Sequence, residues 1–244
     1  MNIYFVSDVH IKEDNDEASV LFRKFLDEAK TSDVIVLLGD IFDLVVGGHF
    51  DWIEKFPQSF KKISEISKTK KTYYIEGNHD FLVGNLFNHP LMKDITHVSG
   101  DLVLHDDEVT IRFSHGDDVE IDNKNYRIYK KLIKNSFIEI LANKVVPVQF
   151  ISKIGNKASS ESAKKSRRYS MDESYTAKIH QKFRDSAQEY HQKHSDFSIL
   201  ACGHSHVKDL WIKGDFTYVN NGYFLNEKTY AAIENGVVSL KSLI

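Results

Sequence analysis

Cysteine is nearly missing from this chain: 244 residues contain one, Cys202. A single thiol excludes an intramolecular disulfide framework and fits a reducing compartment. Cys202 closes an apolar run, so it reads as a small buried core residue. Prolines number only 3, in a composition otherwise ordinary for a globular domain, 41% hydrophobic and 27% charged. An excess of one charge is missing too. The formal net charge of −3 favours neither nucleic acid nor anionic lipid as a partner. No long apolar run is present: the most apolar later stretch, residues 137–154, is broken by Glu139, Lys144, Pro147 and Lys153. A membrane-spanning helix needs about 20 mostly uninterrupted apolar residues. The N-terminus enters a strand at Asn2 without a basic region, apolar core and cleavage site, and so reads as carrying no signal peptide. These absences predict a cytoplasmic protein.

What is present is a recurring pairing of apolar runs with polar ends. The run 33–38 ends in Gly39-Asp40-Ile41-Phe42-Asp43, and 3–7 runs into Asp8-Val9-His10. Residues 72–76 run into Gly77-Asn78-His79-Asp80, 109–114 into His115, and 197–201 into Cys202-Gly203-His204-Ser205-His206. Strands buried on both faces show continuous apolar runs, and ligands of open α/β sheets sit beyond the strands' carboxyl ends. Five such runs, each followed by hard oxygen or imidazole donors, predict one convergent metal site.

Between the first strands, helical periodicity is predicted near 17–30 (Val20, Leu21, Phe25, Leu26) and near 51–68 (Ile53, Phe56, Phe60, Ile63, Ile66). The alternation argues for parallel strands. From Val98 to Ser114, and again from Leu210 to Ile244, short strands separated by turn residues read as antiparallel hairpins. Two packed sheets flanked by helices accommodate both patterns. Residues 123–190 stand apart as a helical insertion. They carry 15 Lys/Arg against 6 Asp/Glu, while the remaining chain carries 17 against 29. Tyr126, Tyr129, Ile133, Phe137, Ile140 and Leu141 form an apolar stripe there. The segment suits a solvated basic face on an ordinary insertion, and equally an anionic, partly apolar substrate.

Asp8, His10, Asp40, Asn78, His115, His204 and His206 are seven candidate ligands. With Asp40 bridging, they suffice for two adjacent divalent ions of the kind that promote phosphoryl displacement. Carboxylates favour Mn²⁺ and Mg²⁺, and imidazoles widen the choice toward Fe and Zn²⁺. In its motifs Asp8/His10, Gly39-Asp40 to Asp43, Gly77-Asn78-His79-Asp80, His115 and Gly203-His204-Ser205-His206, the chain resembles the calcineurin-like metallophosphoesterase family. The resemblance covers everything outside 123–190. It implies an α/β two-sheet sandwich flanked by helices, with 1–122 and 191–244 as the core and 123–190 as a helical cap. It implies one ion held by Asp8, His10, Asp40 and His206, and a second by Asp40, Asn78, His115 and His204. His79 would stabilise charge on the phosphate or protonate the leaving group, and Asp43 and Asp80 would orient the groups bound to the ions.

Within the family the chain is similar to the branch that hydrolyses UDP-2,3-diacylglucosamine in lipid A biosynthesis, which also enters a helical cap after the fourth motif. That resemblance implies two Mn²⁺ ions and a nucleotide-lipid substrate met at the cytoplasmic face of the inner membrane. It also implies cleavage of the diphosphate to UMP and 2,3-diacylglucosamine 1-phosphate. Asn78, His79, Asn123, Ser159, Ser160, Lys164, Lys165 and His204 would then contact substrate. The chain departs from the best-known form of that branch in having His79 where arginine stands and Asn123 where aspartate stands. The alternative is another nucleotide or phosphoester as substrate. The remaining histidines, from His49 to His194, lie outside the motifs and are expected at the surface.

Overall fold

The computed structural model describes residues 1–107, 109–120 and 173–243. Its strands form two main sheets. The first has β1 (Asn2–Val6), β2 (Val34–Leu38), β4 (Lys71–Ile75) and β6 (Ile95–Val98) side by side in parallel, with β12 (Thr229–Glu234) and β13 (Val237–Ser242) antiparallel at the other edge. In the second, β8 (Val109–Ser114), β9 (Ile199–Cys202) and β11 (Phe216–Asn220) are parallel, and β7 (Leu102–Asp106) and β10 (Asp209–Lys213) flank them antiparallel. A short parallel pair, β3 (Val45–Val46) and β5 (Asp80–Phe81), lies outside both.

Period-two alternation explains the layers. Ile3, Phe5, Val36, Leu38, Tyr73 and Ile75 meet Ile111, Phe113, Ile199, Ala201 and Val219 between the sheets. The alternate residues Tyr4, Val6, Ile35, Leu37 and Tyr74 face α1 (Glu17–Glu28) and α3 (Pro57–Ser67) through Phe22, Phe25, Phe60 and Ile63. On the far side of the second sheet, Leu200, Cys202 and Tyr218 lie under Phe183 and Ala187 of α4 (Glu173–His194). β1, β2 and β9 are therefore apolar on both faces, which is why their sequences read as unbroken runs. The expected two-sheet α/β sandwich is the fold observed. Cys202 is buried as expected, and burial pushes its thiol well above the ordinary range.

Some details differ from the sequence reading. The helix expected over 51–68 is two, α2 (Asp51–Lys55) and α3, because Pro57 cannot continue the first but starts the second well. Asp14, in the loop before α1, accepts from Gln58 N, Ser59 N and Ser59 Oγ at 2.6–2.9 Å and so caps α3. Val98 belongs to the parallel first sheet, not to the β7–β8 hairpin. α4 passes through residue 190, the expected end of the insertion, while 123–172 lie outside the described residues. Among the described residues no helix is long and apolar enough to cross a membrane.

Candidate metal centre

All five motif-bearing strands end on one side of the sandwich. β1, β2 and β4 of the first sheet deliver Asp8/His10, Asp40 and Asn78; β8 and β9 of the second deliver His115 and His204/His206. The Asp8 loop is zipped to the Asp40 loop by Val9 N and His10 N donating to Asp40 O, at 2.9 and 3.0 Å, and by Ile11 N to Ile41 O at 3.0 Å. Five of the seven candidate ligands hold left-handed backbone: Asp8, His10, Asp40, His204 and His206 have φ from 53° to 66°. Such conformations are uncommon outside glycine and cost about 1–3 kcal/mol each, so surrounding structure must impose them. They turn each chain sharply at the strand end and aim the side chains into one space. Gly77 is required by proximity, since a Cβ there would lie 2.1 Å from Asp40 Oδ1.

The donor atoms of Asp8, His10, Asp40 and His206 all lie within 4.8 Å of one another. His10 Nε2 is 3.2 Å from His206 Nε2 and 3.8 Å from Asp40 Oδ2, and His206 Nε2 is 3.3 Å from Asp8 Oδ1. On the other side, Asp40 Oδ2 is 3.4 Å from His115 Nε2. Asn78 Oδ1 in turn lies 3.1 Å from His115 Nε2 and 2.8 Å from His204 Nδ1. One oxygen, Asp40 Oδ2, thus faces both groups. The surroundings orient the rings: His115 Nδ1 donates to Leu38 O at 3.0 Å, which turns its Nε2 toward the centre. His79 stands at the edge, its Nδ1 donating to Asp43 O at 2.7 Å and its backbone N–H to Asp40 Oδ1 at 2.8 Å. Asp43 Oδ1 is 3.7 Å from His10 Nδ1, and His10, Asp43 and His79 form a second, overlapping cluster of potential ligands.

Burial and charge set the proton states. Burial drives His10 down to about 3, leaving a neutral imidazole, the form that binds metal. Burial would raise the Asp40 carboxyl, but His115 and His79 hold it well below the usual range. Burial would lower His115, but the charge of Asp40 raises it well above its ordinary value. Asp80, wholly buried, accepts from the backbone N–H groups of Asp40, Ile41 and Gly77 and from Tyr74 Oη at 2.7–2.9 Å. Burial and the Asp40 charge push Asp80 up to about 7 against those donors. The neutral, lone-pair imidazole of His10, grouped with the Asp8 and Asp40 carboxylates, suits a divalent cation.

The structure brings together Asp8, His10, Asp40, Asn78, His79, His115, His204 and His206, with Asp43 and Asp80 directly behind them. Asn123, Ser159, Ser160, Lys164 and Lys165 lie outside the described residues. Other histidines make contacts elsewhere: His97 with Glu76 at 3.1 Å, His180 with Asp209 at 3.2 Å, and His191 stacked on Phe216. Sequence reasoning missed Ser7, Asn221, Tyr223 and Glu120. Tyr223 stacks on His206 with ring centroids 5.3 Å apart, and Glu120 Oε2 is 3.5 Å from His204 Nε2. For Asn221 the Asn220-Asn221-Gly222 run carried the signal, and it reads equally as a turn.

The calcineurin-like phosphoesterase family matches residues 1–208. Among curated proteins, the UDP-2,3-diacylglucosamine hydrolase of Photobacterium profundum is 28% identical, over 67% of this chain and 66% of that protein. The hydrolase of that name from Wigglesworthia glossinidia brevipalpis is 32% identical over 57% of this chain and 56% of its own length. The one from Haemophilus influenzae (strain Rd) is 25% identical over 94% and 92%. The chain thus spans under two thirds of the first two relatives and nearly all of the third. Among solved structures, an archaeal phosphodiesterase superposes with a TM-score of 0.51 at 11% identity, covering 99% of each chain. The E. coli phosphoesterase Yfce gives 0.50 at 13%, covering 100% of this chain and 93% of its own. At those identities the structural likeness concerns the fold. With the family matched across most of its length, the chain belongs to the calcineurin-like phosphoesterases.

Proposed function

We propose that this chain hydrolyses the diphosphate bond of UDP-2,3-diacylglucosamine, giving UMP and 2,3-diacylglucosamine 1-phosphate, with two divalent ions of which Mn²⁺ is the natural choice. The observation that carries the dimetal reading is Asp40 Oδ2, placed 3.8 Å from His10 Nε2 and 3.4 Å from His115 Nε2. One carboxylate oxygen so placed is suited to bridging. Asp8, His10, Asp40 and His206 would hold one ion; Asp40, Asn78, His115 and His204 would hold the other. Two ions there supply Lewis-acid charge for phosphoryl displacement. His79 completes the site: with Nδ1–H committed to Asp43 O, a protonated ring presents Nε2–H to the phosphate or the departing oxygen. Asp43 and Asp80 hold the His10, His79 and Asp40 elements in register.

The substrate reading rests on relatives of that name, one of which aligns over 94% of this chain. The basic, apolar-striped segment 123–190 would act as a cap holding the acyl chains, with Asn123, Ser159, Ser160, Lys164 and Lys165 toward the substrate's polar part. A lipid substrate places the enzyme at the cytoplasmic face of a membrane. The deciding assay is Mn²⁺-dependent release of UMP from UDP-2,3-diacylglucosamine beside a generic aryl phosphodiester. Turnover of the aryl diester with no UMP release leaves the phosphoesterase chemistry and removes this substrate.

A further inference from the structure

Ser7 and Asn221 belong to no motif, and both are wholly buried against the centre. Asn221 lies in the crossover after β11 and grips Ser7 with both ends of its amide. Its Oδ1 accepts from Ser7 N at 2.9 Å, and its Nδ2 donates to Ser7 O at 3.1 Å and Gly222 O at 3.0 Å. The Ser7 N–H can be met only by the amide oxygen, so the orientation of Asn221 is determined. Ser7 Oγ lies 2.8 Å from Asn221 Oδ1 and 2.6 Å from Asp8 Oδ2, two acceptors for one hydroxyl proton. Asn221 Oδ1 already has the Ser7 N–H, and the contact to Asp8 Oδ2 is the shorter of the two. The Ser7 proton therefore goes to Asp8 Oδ2.

The two oxygens of Asp8 are thereby made unequal. Both oxygens share the His204 N–H at 3.0 Å, but only Oδ2 takes the Ser7 hydroxyl and abuts Gly203, where a Cβ would come within 2.6 Å of it. Oδ1 faces the centre, 3.3 Å from His206 Nε2. We infer that Ser7 and Asn221 are positioning residues: the Ser7 hydroxyl, held in place by Asn221, occupies Asp8 Oδ2 and so fixes Oδ1 as the oxygen offered to the ion that His10, Asp40 and His206 would also hold. This inference deepens the dimetal reading proposed above and rests on its ligand assignment.

Ser7→Ala removes the hydroxyl alone and leaves no buried group without a partner, since Asn221 Oδ1 keeps the Ser7 N–H and Asp8 Oδ2 keeps the His204 N–H. Calorimetric titration of the metal-free full chain with MnCl₂ reads the effect. One of two equivalents should weaken by about 10–100-fold, the usual effect of removing a partner of a metal ligand. The other should stay within about twofold, and the urea midpoint of the metal-free chain should hold. Hydrolysis of bis(p-nitrophenyl) phosphate should need correspondingly more Mn²⁺ while kcat at saturating metal is retained. In an Asn78→Ala background, which removes the second ion, Ser7→Ala must weaken the equivalent that remains. Unchanged affinities, or equal losses at both equivalents with a lowered urea midpoint, overturn the inference. If the wild type binds one equivalent only, the dimetal reading falls. The positioning role then stands or falls on whether Ser7→Ala weakens that one.

Discussion

The two halves of the centre share Asp40 and differ in almost everything else. One half sets Asp8 and Asp40 carboxylates against His10 and His206; the other sets the Asn78 amide between His115 and His204. In the first, burial strips His10 of its proton, with its pKa near 3, while the hydrogen bond and charge of Asp8 outweigh burial and raise His206. In the second, the neighbouring Asp40 charge outweighs burial and keeps a proton on His115. A ligand without its proton is ready for a cation, whereas a protonated one must release it first. Both halves thus hold a histidine raised by a neighbouring carboxylate, and only the first also holds one that burial keeps neutral; an ion held at His115 would have to displace its proton.

The strongest test of this division removes what the halves share. Asp40→Ala should abolish activity and both ions together, and elemental analysis retaining a full equivalent per chain would count against a bridging role. Next in size is His79→Ala, which belongs to neither half. Both ions should stay bound while turnover falls by about 10²–10⁴-fold, the range for a positioned acid–base group. Loss of metal in that variant would make His79 a ligand.

Asn78→Ala tightens the contrast by deleting the second half alone. The equivalent it removes should be the one that releases more protons at neutral pH, because His115 is raised well above its ordinary value and His206 is raised less. Calorimetry in buffers of different ionisation enthalpy measures that release. Equal proton release from both equivalents would erase the distinction. The smallest effect concerns stability. The folded-state pKa of His10 lies near 3, below its ordinary 6.5, so as pH falls through that window the unfolded chain takes up a proton that the folded chain refuses. His10 therefore costs stability progressively from pH 6.5 downward, by up to about 1.4 kcal/mol per pH unit. Denaturation of the metal-free wild type and His10→Asn across that range should show the wild type declining more steeply. Parallel curves would contradict a neutral buried His10.

Much of this centre is legible in the amino-acid sequence. Runs such as Val34–Leu38 announce strands buried on both faces, and Asp40 immediately after one falls where α/β sheets expose ligand-binding ends. The assignment of strands to sheets is not legible there. Residues 3–7 and 197–201 look alike because each is covered on both sides, yet one lies in the first sheet and the other in the second. Asn220-Asn221-Gly222 misleads for a related reason. Its composition is that of a turn, but its role comes from Ser7, 214 positions away from Asn221 in the chain. The break at Pro57 is visible in the sequence, but the helical periodicity around it outweighs the signal.

Residue order alone settles which side-chain types stand at the ends of which strands, because backbone periodicity and burial act over a few neighbouring residues. With them come the family, the metal chemistry and the identities of the candidate ligands. How those ligands are shared is a matter for the folded chain. Asp8 and His204 meet across 196 positions of chain, and Asp40 and His79 across 39. Which oxygen of Asp8 faces inward, which imidazole keeps its proton, and that Asp40 Oδ2 stands between the two groups all depend on distances of a few ångströms. Those distances are set by the packing of one sheet on the other, and no local pattern encodes them.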